Sequence, residues 1–316
     1  MSDANIVEVT GLTKTYPGMA RPAVDGIDLT IPQGRLFGLL GPNGAGKTTF
    51  LSMLCGLLAP GAGTLRVLGR DIRQHAQAVK RDLGLVPQDL ALYPSLSARE
   101  NLIFFGRMQG LRGATLRTRV AACLEIAGLA DVGERRADTF SGGLKRRLNL
   151  VIGLIHEPRL LVLDEPTVGI DPQSRHFIHE TLRRLNRAGM SIIYTTHYME
   201  EVESLCDTLA IIDHGKIIAQ GPLDKLLQQH QDGAIEIRTQ QAMPAALQEQ
   251  LRTLPHTRAV AIDDQSLFLK SQQPESTLRA ALDLLQQQHI GIASVSMGAI
   301  HLEEVFLALT GTRLRD

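Results

Sequence analysis

The chain has 316 residues but no tryptophan, and aromatic residues make up only 4% of it. That scarcity leaves no interfacial aromatic belt of the kind that marks the rims of a membrane protein. No run of apolar residues approaches the ~18 that a spanning helix needs. The first nine residues combine neither a basic segment nor an apolar core, so no secretion signal is read there. Cysteine is equally rare. Cys55, Cys123 and Cys206 are odd in number and far apart, which excludes a disulfide framework and a Cys-rich zinc site and fits reduced thiols in a cytosol. An excess of charge is also missing: Lys+Arg and Asp+Glu both count 33, for a net charge of zero. Nucleic acid is therefore not expected as a partner, because such binders usually carry a basic surplus.

What is present is ordinary globular material, 44% apolar and 21% charged, in a length that suits two domains. Continuous apolar runs at 36–40, 83–86, 160–163, 191–195 and 209–213 read as strands buried on both faces of a parallel sheet, with a further strand at 6–10. Helical segments fall between them. Ser97 followed by Glu100 is a capping-box pattern that starts a helix. Asp213-His214-Gly215-Lys216 reads as a hairpin turn. Past Pro222 the texture changes and glutamine becomes common. The boundary falls between 222 and 232, giving expected domains 1–225 and 232–316. The second piece alternates β-α-β-β-α-β: strands at 234–238, 258–262, 266–269 and 292–297, a helix at 245–254, and Leu278, Leu282 and Leu285 on one helical face. That order predicts a small α+β, ferredoxin-like C-terminal domain. A final helix carries Leu302, Val305, Phe306 and Leu309 on one stripe, with Gly311 as its stop.

Three motifs carry chemistry. The strand at 36–40 runs into Gly41-Pro42-Asn43-Gly44-Ala45-Gly46-Lys47-Thr48 and then a helix at 49–58. This is G-x-x-x-x-G-K-T in a strand–loop–helix setting, a P-loop. Its glycines let backbone N–H groups wrap a phosphate, and the helix N-terminus adds positive charge. Lys47 is expected to reach the β- and γ-phosphates, and the Thr48 hydroxyl to ligate Mg²⁺. Next, 160–163 is an apolar strand ending in Asp164-Glu165. Asp164 suits a Mg²⁺ ligand. Glu165, expected on the opposite side, suits the base that orients and deprotonates an attacking water. Third, Ser141-Gly142-Gly143 opens an apolar helix, with Ser141 as cap and open N–H groups as a second anion site.

The ordered set resembles the nucleotide-binding subunit of an ABC transporter over about residues 5–221. Gln88, Asp171 and His197 fall between and after the motifs in that family's order. The resemblance implies an ABC-type P-loop NTPase fold of the α/β class, with ATP and Mg²⁺ as cofactors. It implies that Gln88 contacts Mg²⁺ and links the site to a membrane partner, that Asp171 lies at a dimer interface, and that His197 contacts the γ-phosphate and holds Glu165. It also implies that Tyr16 stacks on adenine and that Thr49 belongs to the nucleotide site. Phe140 and Leu144 replace the usual Leu and Gln that flank the signature. With Lys145-Arg146-Arg147 and the tail 302–311, this variant looks like type-2 exporter subunits such as those of drug-extrusion systems.

One P-loop and one signature per chain, in that family, complete each other across a head-to-tail homodimer with two ATP. Transport would need a separate integral-membrane permease docked near 88–101, with Tyr93 and Leu96 as candidate contacts. That places the chain in the cytoplasm, peripheral on the inner face of the cell membrane. Two other readings stand beside the exporter motor: a soluble ABC-type ATPase not coupled to transport, and a nucleotide-sensing module without turnover. The presence of both Glu165 and His197 argues against the last. His176 and His179, three residues apart on a helix, lack further ligands for a metal site. Arg183, Arg184 and Arg187 read as a solvated helix face.

Overall fold

The computed structural model describes residues 5–231, 233–298 and 301–310. Gly311, read as the last helix's stop, lies outside them. By contact the chain divides between Ile218 and Ala219 into two units.

The first unit contains β1 (Asn5–Lys14), β2 (Val24–Pro32), β3 (Leu36–Leu40), α1 (Lys47–Leu54), β4 (Ala62–Val67), β5 (Arg70–Asp71), α2 (Ile72–Asp82) and β6 (Leu83–Val86). There follow α3 (Ala98–Met108), α4 (Gly113–Ala127), α5 (Gly142–Leu154), β7 (Leu160–Asp164), α6 (Pro172–Arg187), β8 (Ser191–Thr196), α7 (Met199–Leu205), β9 (Thr208–Asp213) and β10 (Lys216–Pro222), which begins in this unit. The main sheet has the order β10-β9-β3-β8-β7-β6. Its β9-β3-β8-β7-β6 core is parallel. β3, β7 and β8 are buried at every position, as continuous apolar runs between helices should be. Gly38 lets α7 lie close on β3: a Cβ there would stand 2.9 Å from Val202 Cγ1.

A second, antiparallel sheet, β2-β1-β4-β5, went largely unread in the sequence. β2 alternates buried and exposed residues, as in Ile27, Leu29 and Ile31 with polar residues between. The main strands announce themselves by unbroken apolar runs; this one is half-buried and polar on its outer face. The two sheets share one core: Val9, Leu29, Leu65 and Phe50 cluster with Phe37, Leu39 and Val162. The helix after the P-loop is shorter than expected. It stops at Leu54, with Cys55 at its C-cap. The capping box of α3 forms: Glu100 N–H donates to Ser97 Oγ at 3.1 Å and Ser97 N–H to Glu100 Oε2 at 2.8 Å. All three cysteines are free and buried. Burial pushes the Cys55 thiol up to about 12 and that of Cys123 to about 11.

The second unit holds α8 (Leu223–Gln231), β11 (Ala234–Thr239), α9 (Ala245–Arg252), β12 (Thr257–Asp263), β13 (Ser266–Ser271), α10 (Pro274–Gln287), β14 (Ile292–Met297) and α11 (Leu302–Thr310). Its sheet is antiparallel in the order β12-β13-β11-β14. Ile235, Ile237, Leu267 and Leu269 pack under Leu247, Ala281 and Leu285. On α10 the buried line is Thr277, Ala281 and Leu285, with Leu278 and Leu282 only half-buried beside it. On α11, Leu302, Val305 and Phe306 are buried, but Leu309 is 39% exposed and stands off the expected stripe.

Candidate functional site

The site grows out of strand order. β3, β8, β7 and β6 are consecutive parallel neighbours. Their C-terminal ends therefore lie side by side, where open α/β sheets bind ligands. β3 leads into the 41–48 loop, β8 into His197, β7 into Glu165 and β6 into Gln88. Leu40 pairs with Thr196, and Asp164 with Thr195, so the four segments reach the same edge.

Two glycines of the loop are forced. A Cβ on Gly41 would stand 2.2 Å from the Ile212 carbonyl oxygen. Gly46 has φ +109, and a Cβ there would meet the Ala23 carbonyl oxygen at 2.3 Å. Gly46 is also the N-cap of α1 and offers no side-chain hydrogen bond to the first turn, which holds no acidic residue. The α1 N–H groups are thus left for an anion from outside. They face a cavity of about 290 Å³ lined by Pro42, Asn43, Gly44, Gly46, Lys47, Thr48, Thr49, Gln88 and Glu165.

Lys47 is 5% exposed, and its ammonium is held inside its own loop. Nζ donates to the carbonyls of Gly41 at 2.6 Å and Pro42 at 3.2 Å and lies 3.1 Å from Glu165 Oε1. The other oxygen, Glu165 Oε2, lies 3.0 Å from His197 Nδ1. Thr48 Oγ1 donates to Asp164 Oδ2 at 2.9 Å, while Asp164 Oδ1 accepts from Thr195 Oγ1 at 2.7 Å. Strand alternation had sent Glu165 to the side opposite Asp164. Instead β7 ends at Asp164, and Glu165 takes a left-handed backbone with φ 46. Both carboxylates then converge on consecutive residues of α1. A non-glycine residue at positive φ is strained and persists where its surroundings hold it; here Glu165 N–H donates to both the backbone oxygen and the hydroxyl of Thr195, each at 3.1 Å.

The donor set fits a nucleotide and its cation. Uncapped N–H groups and a buried ammonium suit phosphate oxygens, and the Thr48 hydroxyl with the Asp164 carboxylate supplies the hard oxygen ligands that Mg²⁺ takes. Tyr16, 36% exposed, stands beside the same helix, with its hydroxyl 3.4 Å from Thr49 Oγ1.

Other expected residues are not brought together within one chain. Ser141, Gly142, Gly143 and Asp171 do not line this cavity. Ser141 caps α5 by accepting from Leu144 N–H at 3.3 Å. Asp171 caps α6 through Ser174 N–H at 2.8 Å, a bond that holds its carboxyl below the usual range. These two helix starts touch: a Cβ on Gly143 would stand 1.9 Å from Ser174 Oγ. His176 and His179 build no metal site; among the described residues no suitable cluster of three ligands exists. His179 is instead buried, 3.3 Å from the Tyr194 hydroxyl.

Sequence reading missed two groups of residues. On α5, Arg146 donates to the Gln88 carbonyl and, at 3.2 Å, to that of Val168, while Asn149 holds Pro87 O at 3.2 Å and Ala91 N–H at 3.0 Å. The helix opened by Ser141 therefore clamps the segment containing Gln88. Behind His197, the carboxylate of Glu201 is 3% exposed. It accepts from Thr167 at 2.7 Å, Tyr194 at 2.8 Å and Thr196 at 2.9 Å, with Arg175 Nε at 3.4 Å. Its only sequence signal is position, one helical turn past His197. Nothing in spacing alone tells a buried carboxylate from the exposed Glu200 beside it.

Comparison with known proteins agrees with this geometry. The family described as "ABC transporter" matches residues 24–168. Over 98% of this chain and its own full length, the linearmycin resistance ATP-binding protein LnrL of Bacillus subtilis is 43% identical. The daunorubicin/doxorubicin resistance ATP-binding protein DrrA of Streptomyces peucetius is 39% identical over 96% of this chain and 92% of that protein. The Nod factor export ATP-binding protein I of Ralstonia nicotianae is 42% identical over 98% and 95%. Among solved structures, cbiO1 of Clostridium perfringens, part of the ABC transporter complex cbiONQ, superposes with a TM-score of 0.66 at 28% identity, covering 71% of this chain and 91% of that one. The chain belongs to the ABC transporter family. It is an ATP-binding, ATP-hydrolysing subunit of the exporter-type branch, built on the ABC-type P-loop fold.

Proposed function

We propose that this chain is the motor of a type-2 exporter that drives a drug, lipid or other lipophile outward through a separate integral-membrane permease. The carrying observation is the contact series Lys47–Glu165–His197, with Lys47 3.1 Å and His197 3.0 Å from the two oxygens of one carboxylate. Lys47 is buried against its own loop's carbonyls, and phosphate oxygens can take the place of those carbonyls as acceptors for its ammonium. Glu165, released from that ammonium, is positioned to take a proton from water, with His197 fixing its orientation. Thr48, Asp164 and the Gln88 side chain are the residues that would hold Mg²⁺, which neutralises phosphate charge when bound. Tyr16 offers its ring to adenine.

Ser141, Gly142, Gly143 and Asp171 stand off the cavity of their own chain, and this supports a head-to-tail homodimer in which each signature completes the partner's ATP site. No helix among the described residues is long and apolar enough to cross a membrane. The role of ATP-binding subunit to a separate permease supports a cytoplasmic position, peripheral on the inner face of the cell membrane. Tyr93 is 46% exposed and packs edge-on to Phe104 at 4.7 Å, which supports the permease contact near 88–101. The relatives, two of drug or linearmycin resistance and one of Nod factor export, support a drug, lipid or other lipophile as cargo. The antiparallel order β12-β13-β11-β14 supports reading the C-terminal unit as a ferredoxin-like plait. The contact division between Ile218 and Ala219 supports two domains, with α8 grouped on the C-terminal side.

The test is co-purification with the permease followed by ATPase assay in lipid. Stimulation of turnover by the permease is expected. A chain that hydrolyses ATP at an unchanged rate with every membrane protein of its host would instead be an uncoupled soluble ATPase.

A further inference from the structure

Away from the ATP site, α3 and α4 are joined by a short connection and pack side by side. Between them lies a cavity of about 770 Å³. Its floor is apolar: Leu116 and Val120 are buried, and Ile103 is half-buried. Its rim carries four arginines, Arg99, Arg107, Arg112 and Arg117, and no acidic residue lines it. Arg99 is engaged by Glu134. Arg107, Arg112 and Arg117 are exposed and form no ion pair with any described residue. In a chain of zero net charge this is a local concentration of unpaired cations.

The cluster also opposes local electrostatics. Arg112 occupies the N-cap of α4 without a side-chain cap, and the first turn holds no acid. Cations at a helix N-terminus are disfavoured by the helix dipole. A choice of residues that works against its own element marks a functional constraint. On the adjoining flank of α3, Phe104 is 37% and Met108 70% exposed, one turn apart and next to Arg107.

We propose that this groove binds the head group of an acidic phospholipid at the membrane surface. The phosphate lies among Arg107, Arg112 and Arg117, and the first methylenes lie along Ile103, Leu116 and Val120. Phe104 and Met108 enter the same interface. A free inorganic anion would leave the apolar floor against water; an anionic amphiphile covers both kinds of surface, the recognition expected of basic residues on an amphipathic helix. None of these residues lines the ATP cavity, so the assignment stands or falls separately from turnover.

The experiment is flotation of the full purified chain with vesicles of phosphatidylglycerol and phosphatidylcholine, against phosphatidylcholine alone. Capture by the acidic vesicles only, weakened by salt, is expected. The combined variant Arg107→Gln, Arg112→Gln and Arg117→Gln should lose roughly a hundredfold in partitioning, about fivefold per arginine, with ATP binding and unfolding midpoint unchanged. Phe104→Ser with Met108→Ser should weaken capture while leaving its salt dependence. Equal capture by both vesicles, or an undiminished triple variant, overturns the proposal. So does binding of inorganic phosphate or of an acidic amphipathic peptide without vesicle capture.

Discussion

Lys47 and Glu165 form a buried ion pair at 3.1 Å across the mouth of the phosphate site, with side chains 5% and 6% exposed. The ammonium of Lys47 is engaged by this carboxylate, so nucleotide must compete with Glu165 for it. Replacing Glu165 by Gln removes that competitor and also the base. Turnover is expected to fall by about 10²–10⁴-fold, while ATP affinity holds or rises. Single-turnover assays and titration calorimetry on the same preparation check both halves; weakened affinity would contradict the competition.

Lys47→Ala acts on the other member. It removes the phosphate ligand and leaves the Glu165 charge buried without its ammonium. Breaking a buried pair from one side costs about 3–5 kcal/mol. We expect loss of ATP binding together with a lower denaturation midpoint. Adding Glu165→Gln should restore much of the stability and none of the binding.

Glu201 gathers three hydroxyl donors from two segments: Thr167 after β7, and Tyr194 and Thr196 on β8 just before His197. Truncation to Ala strands those donors, at about 1–3 kcal/mol for each left unsatisfied. Because the network braces the turn that carries His197, Glu201→Ala is expected to lower kcat more than it raises KM. Tyr194→Phe, which leaves two of the donors, should lose stability by about 1–3 kcal/mol with kcat nearly kept. Steady-state kinetics beside urea unfolding separates the two.

His156 sets a pH dependence. Burial holds its imidazole below the usual value, against an opposing hydrogen bond from Nε2 to the Leu83 carbonyl at 3.1 Å. Burial likewise lowers His179, opposed by Glu201. Above about pH 6.5 neither folded nor unfolded chain protonates these rings, and their contribution is intact. As pH falls below that value the unfolded chain takes up protons first, so stability declines toward the folded values. Urea midpoints at pH 7.5 and pH 5.5 should differ, and His156→Gln with His179→Gln should shrink the difference. An undiminished slope assigns it elsewhere.

The difference between what was legible in the sequence and what was not has a physical basis. Gly41 to Thr48, Asp164-Glu165 and Ser141-Gly142-Gly143 were readable because each is contiguous and its backbone geometry demands those residue types. β3, β7 and β8 were readable because burial on both faces leaves only apolar residues. β2 escaped because it is half-buried, and α1 ended early at Leu54.

Sequence by itself determined that this protein grips a triphosphate: a loop with glycine at 41, 44 and 46, an ammonium and a hydroxyl in adjacent positions, and two carboxylates at a strand end. Only tertiary structure decided what those groups do to one another. Strand order β3-β8-β7-β6 placed four distant segments at one edge, the left-handed turn at Glu165 aimed its carboxylate at Lys47, and Glu201 and Arg146 found partners many residues away. Local spacing fixes which backbone a segment can adopt, whereas a buried charge is defined by neighbours that only the folded chain supplies.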